Sequence, residues 1–456
     1  MSVIVKCDYR SSAPQPKSPE AVSRSSPCAG SVSLKRHRGV FMSFEPAITK
    51  AEAGDPSRYD LVIRRAHIFD GHKALEGLHD IAVKGGEIAA VSAEPLGGEH
   101  KQMVDASGKW IMPGLIDAHI HFYNVFAVSD PASMDAFEEH ELPGRLDSFL
   151  QYGVTTIKSV GDPTSGILRT RARIASGELR GPRLLATGCG VTGREGHPAS
   201  TIFSKNPWAR ARFAGEVGTV QEMRDLIHYL ADMKVDAIKI LSEGACACHS
   251  DEKYVWQIPG FLGPIELMRL PLDMLRAGIE TSHERGLRAT VHTTQQTVAR
   301  EAVEAGADAL EHGVMNELIT DEALVQLMID RDVMFVPTLW AHGAAHPELA
   351  ANVKKVSDAG VGIALGTDTF SGKGTYGENT LEEAELMVAA GMSPLQSLVA
   401  GTSAAARQCV RPDIGMVAPG KRADLLLLGA DPIADISNIR ALKKVILNGE
   451  IVVERD

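Results

Sequence analysis

Two histidines separated by one residue, His119 and His121, are the feature of this 456-residue chain that most directly suggests chemistry. They follow an apolar run from Ile111 to Ile116 that is typical of a buried strand. Because residues i and i+2 of a strand point to the same face, both imidazoles would face one side. Imidazole nitrogen is a preferred ligand of zinc and similar metals. The pair therefore predicts a metal site at a strand end; a pair of surface histidines is the alternative interpretation.

Four further residues of suitable type follow, each at or near the end of a short apolar run: Lys239, His292, His312 and Asp368. Lys239 is the unusual member because a free ammonium has no lone pair, repels metals and is costly to bury. The alternative interpretation of Lys239 is a structural lysine paired with a carboxylate. Asp368 is open to interpretation as a turn residue after Gly366 and Thr367.

Strand-like and amphipathic segments alternate between about residues 113 and 410, which indicates β/α units. The eight strand candidates are 111–121, 154–160, 183–186, 235–241, 288–292, 309–312, 334–339 and 362–368. The amphipathic stretches between them include 220–233, 272–285, 297–305 and 321–330. Eight such units favour an α/β fold of the (β/α)₈ TIM-barrel type, whose active site lies at the carboxyl ends of the strands, where the candidate ligands fall. A doubly wound sheet is the alternative, but no Gly-rich dinucleotide fingerprint follows the first strand.

Strand-rich segments flank this middle region on both sides. Gly85-Gly86 and Asn448-Gly449 are hairpin signals between short apolar runs. We expect residues 59–112 and 414–456 to form one small β-sandwich built from both termini, and residues 113–410 to form the catalytic barrel. Residues 1–41 are rich in Ser and Pro without apolar periodicity, which predicts a disordered tail or a mis-assigned start before Met42.

The composition of the chain is ordinary for a globular protein. The net charge of −11 argues against nucleic acid or an anionic membrane as a partner. No apolar run approaches the roughly 18 residues of a transmembrane helix. Six cysteines in so long a chain do not indicate a disulfide scaffold, and no secretory signal is visible. We therefore expect a cytoplasmic protein, and we expect it to be a homo-oligomer.

Seven stretches, in order, resemble the amidohydrolase superfamily, in the branch of imidazolonepropionase-related and prolidase-like hydrolases. They are residues 113–121, Gly153-Val154-Thr155-Thr156, Gly181-Pro182-Arg183-Leu184, Asp236-Ala237-Ile238-Lys239-Ile240, Glu311-His312-Gly313, Gly366-Thr367-Asp368 and residues 415–425. The resemblance covers roughly residues 59–456. The resemblance implies a (β/α)₈ barrel with a β-sandwich made from both termini, in agreement with the segmentation above.

The resemblance also implies two divalent metal ions, zinc first and cobalt or manganese as alternatives. The implied ligands are His119, His121 and Asp368 for the first metal, and His292 and His312 for the second. Lys239 would be carbamylated by CO₂, and its carbamate would bridge the two metals. A single metal with an unmodified Lys239 is the alternative.

The implied reaction is hydrolysis of a C–N bond in an amide, peptide, carbamate or urea by a metal-bound hydroxide. Asp368 would take the proton of the water and deliver it to the leaving amine. His197 would face the substrate carbonyl and stabilise the oxyanion, with a surface loop histidine as the alternative. Tyr254 would supply a phenol to the same oxygen, with core or surface packing as the favoured alternative.

One stretch departs from the family pattern. The branch has His-Ala-His-Gly after the fifth strand, whereas this chain has His292-Thr293-Thr294-Gln295. We expect Thr294 to line an altered pocket, which puts ordinary dipeptide hydrolysis in doubt. A cyclic-amide hydrolase or deaminase with one metal, and a non-catalytic barrel that serves as a binding or scaffold protein, are the alternative functions.

Two further groups of residues are candidates near the site. Cys246, Cys248 and His249 lack the C-x₂-C spacing of zinc sites and are predicted to form active-site wall. The candidates to bind a substrate carboxylate are Arg169, Arg171, Arg194 and Arg210.

Overall fold

The computed structural model describes residues 57–123, 128–242, 254–255, 264–265, 269–344, 346–370 and 375–455. The predicted tail 1–41 and Met42 lie outside these residues. The strands are β1 Ser57–Ile68, β2 His79–Lys84, β3 Glu87–Ser92, β4 Glu99–Asp105, β5 Trp110–Pro113, β6 Leu115–Ile120, β7 Val154–Gly161, β8 Arg183–Gly193, β9 Ala214–Val217, β10 Ile238–Leu241, β11 Tyr254–Val255, β12 Pro264–Ile265, β13 Ala289–His292, β14 Ala309–Glu311, β15 Met334–Val336, β16 Leu425–Leu428, β17 Leu442–Leu447 and β18 Glu450–Glu454.

The α-helices are α1 Pro131–Ala136, α2 Leu142–Gln151, α3 Thr164–Ala175, α4 Pro207–Phe213, α5 Val220–Asp232, α6 Leu272–Glu284, α7 Gln296–Ala305, α8 Glu322–Asp330, α9 Leu339–His342, α10 Pro347–Ala359, α11 Glu378–Ala389, α12 Pro394–Val399 and α13 Ala405–Gln408. Two π-helical turns, Phe137–Glu141 and Ala400–Ala404, and a 3₁₀ helix, Ile436–Arg440, complete the described elements. Within them, no helix is long and apolar enough to cross a membrane.

Strands from both ends of the chain form one mixed, largely antiparallel sheet in the order β18-β17-β16-β5-β1-β2-β3, with β4 beside β1. A register shift between Ile63 and Ala66, where Arg65 has a φ of 58°, lets β1 pass from β2 and β4 to β5. The two predicted hairpins are confirmed at Gly85-Gly86 and Asn448-Gly449, because all four residues have the positive φ that tight hairpin turns require. The prediction of a β-sandwich built from both termini is confirmed.

The middle region forms a parallel barrel in the order β15-β14-β13-β10-β8-β7-β6. The four amphipathic stretches named above are confirmed as α5, α6, α7 and α8. Apolar side chains of the barrel strands and surrounding helices form the largest buried cluster of the described residues, and a second cluster fills the sandwich. The domain boundaries stay a prediction, since the described residues of the sandwich and the barrel group as one compact unit.

The segment predicted as the eighth strand, 362–368, closes the barrel without forming a continuous strand. Its start pairs with β15 through Phe335, and Asp368 N donates to His119 O of β6 over 2.8 Å. Between these contacts, a Cβ on Gly366 would lie 2.7 Å from that of His119, so this backbone approaches β6 closely. The φ of 55° at Asp368 ends the extended conformation.

The predicted single strand 111–121 was wrong in one respect, since the chain divides at Gly114. β5 belongs to the sandwich, where it pairs with β1 and β16, whereas β6 pairs with β7 in the barrel. A Cβ at Gly114 would lie 2.1 Å from Thr155 Oγ1, which explains why glycine occupies the crossing. Of the two histidines of the predicted metal site, His119 thus lies within a barrel strand only six residues long and His121 directly follows it.

Candidate metal centre

His119 and His121, the first histidine pair, lie at the end of the first barrel strand and close to Asp368, at the end of the segment that closes the barrel. His121 Nε2 lies 3.0 Å from Asp368 Oδ1, and His119 Nε2 lies 3.3 Å from the same oxygen. The ligand atoms of these three residues fall within 4.8 Å of one another, close enough to hold one metal ion. The structure therefore brings together the three residues predicted for the first metal.

Glu311 contacts Nδ1 of His119, the ring nitrogen that does not face Asp368. The side chains of both residues are fully buried, and Glu311 Oε2 lies 2.7 Å from His119 Nδ1. A carboxylate acceptor places the ring proton on Nδ1 and leaves Nε2 for a metal. Burial by itself raises the pKa of Glu311, but His119, Lys239 and Lys158 outweigh it and hold that pKa below its usual range. Among the described residues, His119 Nε2 has no hydrogen-bond partner.

The Asp368 carboxylate divides its oxygens between two sets of histidines. Oδ1 faces the first pair, whereas Oδ2 lies 2.8 Å from His342 Nε2 and 3.9 Å from His312 Nδ1. His312, His342 and Asp368 form a second group whose ligand atoms lie within 4.8 Å of one another. Burial raises the pKa of Asp368, but the surrounding imidazoles overcome this effect and hold it well below its usual range.

The histidines predicted for the second metal lie side by side on β13 and after β14. The ring centroids of His292 and His312 are 4.5 Å apart. His312 Nδ1 lies 2.9 Å from Thr338 Oγ1, and His312 and Thr338 both have positive φ angles, of 67° and 53°. His292 Nε2 is buried and lacks a hydrogen-bond partner in the described part of the chain. Burial lowers the pKa of both imidazoles, so both stay neutral, the state that binds metals.

Lys239 lies on β10 inside the barrel and is 2% exposed. Its Nζ has no hydrogen-bond partner among the described residues, so the alternative of a lysine directly paired with a carboxylate finds no such contact there. Burial lowers the pKa of Lys239 to about 8, although the Glu311 and Asp368 carboxylates act in the opposite direction. An appreciable fraction of the side chain is therefore the neutral amine near neutral pH.

Asp117 fastens the Thr367-Asp368 turn to β6. It accepts hydrogen bonds from Thr367 N and from the hydroxyls of Thr367 and Thr380. Burial raises the pKa of this fully buried carboxyl to about 6. These bonds hold the turn that carries Asp368 beside β6, the strand of Asp117 and His119.

Of the two residues predicted to contact the substrate, His197 and Tyr254, the structure describes the side chain of His197 only. His197 is buried, its ring centroid lies 5.2 Å from that of His292, and its Nδ1 lies 2.7 Å from Thr201 Oγ1. Burial lowers the pKa of His197 to about 3. Tyr254 contributes backbone to β11, but its side chain lies outside the described residues, as do Cys246, Cys248 and His249.

The four arginines named as candidates for a substrate carboxylate are all paired with acidic side chains of the protein. The ion pairs are Arg169–Glu138, Arg171–Asp236, Arg194–Glu222 and Arg210–Glu216. Thr294 is fully buried and accepts a hydrogen bond from Asn316 Nδ2 over 3.0 Å. β13 ends at His292, so the strand alternation used to place Thr294 in the pocket does not extend to it.

Three buried residues of the centre were missed by sequence reasoning: Asp117, Glu311 and His342. Asp117 and Glu311 stand within the family motifs, within two residues of the predicted ligands His119 and His312, but their contacts join distant segments. His342 lies beyond β15, at the end of α9, and its spacing from the other candidate ligands matches no metal-binding sequence pattern. Only the folded barrel brings it to Asp368.

Comparison with known proteins agrees with the fold. The model of the Amidohydrolase family matches residues 110–452. An imidazolonepropionase from Anaeromyxobacter sp. (strain K) is 27% identical over 346 residues, covering 72% of this chain and 77% of the relative. A putative prolidase from Bifidobacterium longum has a TM-score of 0.68 at 25% identity, covering 86% of this chain and 94% of that one. A Xaa-Pro dipeptidase with bound methionine has a TM-score of 0.72 at 22% identity, with coverages of 87% and 100%.

The match to the family model spans most of the chain, from the last sandwich strand before the barrel to the final hairpin. The two His/Asp groups near the carboxyl ends of the barrel strands are of a kind that could hold metal ions. The chain therefore belongs to the amidohydrolase family and is an enzyme that hydrolyses C–N bonds.

Proposed function

We propose that the chain is a binuclear, metal-dependent hydrolase of a small amide-like molecule, with an amide, peptide, carbamate or urea bond as its target. One observation carries this proposal. His119 Nε2, His292 Nε2 and Lys239 Nζ are buried near Asp368 and lack hydrogen-bond partners within the described residues. Leaving such atoms unpaired costs about 1–3 kcal/mol each. A bound cation would offset this cost for the two imidazole nitrogens, and carbamylation would offset it for Lys239.

The proposed ligands are His119, His121 and Asp368 for one metal and His292 and His312 for the other, with Lys239 as the bridge. Imidazole and carboxylate ligands suit zinc, and cobalt or manganese fit the same set. When bound, a divalent metal would polarise the substrate carbonyl and lower the pKa of water.

The burial of Lys239 supports its carbamylation. The neutral amine, which its lowered pKa of about 8 makes available, would add through its lone pair to the carbon of CO₂. An N–C bond forms, one proton is lost, and the product is a carbamate anion. The cationic lysine becomes an oxygen ligand, which removes the electrostatic objection to a lysine between two metals.

Asp368 and His197 would act on the substrate. A carboxylate at the centre of the imidazoles can take a proton from the attacking water and donate it to the nitrogen of the leaving amine. We assign the Thr201 hydroxyl as the donor to His197 Nδ1, which places the ring proton on Nε2. His197 stays neutral at pH 7, so it would stabilise the substrate oxyanion as a hydrogen-bond donor rather than as a cation.

A mononuclear cyclic-amide hydrolase or deaminase is the second candidate function. The observation that favours it is that His119, His121 and Asp368 form a complete three-ligand group without any contribution from Lys239. The curated relatives include both an imidazolonepropionase and an adenine deaminase from Lysinibacillus sphaericus. Lys239→Ala separates the two candidates. In the binuclear enzyme this variant loses most activity and some metal, and short carboxylic acids partly restore both; in the mononuclear enzyme it stays active.

The experiment that tests the function is a panel of N-acyl amino acids, dipeptides, carbamates and phenylureas, offered to the metal-loaded enzyme. We expect hydrolysis of at least one class, with loss of turnover after chelation and in His119→Ala. His140→Ala is the matched control, because the side chain of His140 is 70% exposed. Turnover that survives metal removal, or that His119→Ala leaves intact, would overturn the proposal.

A further inference from the structure

His342 is a buried imidazole that the ligand assignment above does not use. It ends the short helix α9, which follows β15, and its side chain is 9% exposed. Its Nε2 lies 2.8 Å from Asp368 Oδ2, a shorter separation than either Oδ1 contact with the first histidine pair. The Asp368 oxygen that faces away from the first pair therefore has its own protein partner.

The backbone that carries His342 is held in place by two acidic residues of α11. The buried Glu383 carboxylate accepts hydrogen bonds from Leu339 N over 2.9 Å and from Trp340 N over 2.5 Å. Glu382 Oε2 accepts the indole N–H of Trp340 over 2.6 Å. These bonds satisfy backbone donors at the start of α9 that no earlier turn can pair. These contacts fix the short helix α9 against α11.

The segment that begins at Thr338 and continues into α9 also contacts His312, a proposed ligand. Thr338, the residue before α9, adopts a φ of 53° and lies with its hydroxyl 2.9 Å from His312 Nδ1. Non-glycine residues rarely adopt this conformation, and it persists only where neighbouring contacts hold it. One short segment therefore contacts a ligand predicted for the second metal at its start and Asp368 at its end.

We propose that His342 is a positioning residue for Asp368. Its Nε2–H donates to Oδ2 and fixes the rotation of the carboxylate, so that Oδ1 is directed at His119 and His121. This inference rests on the proposed function, because it assumes that Asp368 is a metal ligand. It goes further in assigning a role to a residue outside that ligand set. Hydrogen bonds that orient ligating carboxylates typically change metal affinity by about 10–100-fold when removed.

Two variants of matched polarity test the role. A glutamine side chain can bring its amide nitrogen to the position of an imidazole Nε2, whereas the asparagine amide is one methylene shorter and falls short of Asp368. In the cobalt-loaded, full-length enzyme challenged with a chelator, we expect His342→Asn to lose cobalt at about 10–100-fold lower chelator concentration, with altered cobalt absorption bands. His342→Gln should stay close to wild type in both measurements. The control is His346→Gln, at the residue that precedes α10, with its ring centroid 6.4 Å from that of His342.

The outcomes separate this inference from the proposed function. Failure of the wild-type enzyme to bind cobalt would overturn both. Wild-type cobalt retention and spectra in His342→Asn would overturn the positioning role alone. Loss of one whole metal equivalent in both His342 variants, at saturating cobalt, would also overturn it, because it would make His342 a ligand in the group with His312 and Asp368. If His342→Asn fails to fold, weak cobalt retention by a folded His342→Gln would still contradict the proposal.

Discussion

The sandwich core differs in chemistry from the barrel mouth, the group formed by His119, His121, Lys239, His292, Glu311, His312, His342 and Asp368. Leu61, Ile63 and Leu427 represent a sandwich cluster of apolar side chains drawn from both ends of the chain. In the barrel, Lys239 and Glu311 are at most 2% exposed and bring charged groups into the same kind of interior. Apolar burial is favourable by itself, whereas a buried charge is tolerated only when other groups compensate for it.

This difference assigns separate tasks to the two regions. The sandwich, whose strand β16 also supplies Leu426 and Leu428 to the barrel cluster, contributes to folding stability. The barrel mouth concentrates polar groups that hold each other through contacts such as Glu311 with His119 and Asp368 with His342. Substitutions in the sandwich should therefore lower the stability of the fold without changing the site. Conservative substitutions at the barrel mouth should change activity or metal affinity with little effect on stability.

The largest effect on activity is expected for Asp368→Asn. The amide keeps the shape and one oxygen ligand but cannot accept a proton from water at neutral pH. Turnover should fall on the order of 10²-fold or more, as for loss of a general base. Metal content, measured by elemental analysis, should fall less than in His119→Ala. Near-normal turnover in Asp368→Asn would mean that another group is the base.

Glu311→Gln should have an intermediate effect. The amide is a weaker acceptor for His119 Nδ1 and removes the negative charge beside Lys158 and Lys239. We expect metal affinity to fall by about 10–100-fold, measured by competition with a chelator. Glu139→Gln serves as the control, because the side chain of Glu139 is 76% exposed. Unchanged affinity in Glu311→Gln would show that His119 needs no support.

Leu427→Ala should leave the activity of the folded enzyme almost unchanged while it destabilises the fold. Leu427 is 1% exposed in the sandwich cluster, and truncation of such a side chain costs about 2–5 kcal/mol. Denaturant unfolding measures this loss, and the 53% exposed Val410, truncated to alanine, provides the control. A large drop in the metal affinity of folded Leu427→Ala would contradict the separation of the two regions.

The parts of the molecule that the sequence predicts well depend on local geometry. The His119-Ile120-His121 pair follows from the two-residue period of a strand, and the glycine-containing hairpins follow from turn conformation. The missed residues depend on contacts between distant segments. Glu311 reaches His119 across 192 positions of the chain, and His342 reaches Asp368 from a separate turn. No local pattern encodes such contacts.

The same distinction explains the errors in the strand predictions. The apolar runs at 111–121 and 362–368 predict continuous strands. Gly114 instead marks the crossing from sandwich to barrel, and Gly366 marks a close approach to β6. Both glycines are needed because of neighbours, Thr155 and His119, that are far away in the sequence.

The metal content of the purified enzyme tests the central claim most directly. Elemental analysis of the wild-type protein should find close to two divalent ions per chain. A His119→Ala/His121→Ala double variant should lose the ion assigned to that pair and keep the second. About one ion in the wild type would contradict the binuclear assignment and favour the mononuclear enzyme. An absence of metal after growth and purification with added zinc would contradict the account of the barrel mouth as a metal centre.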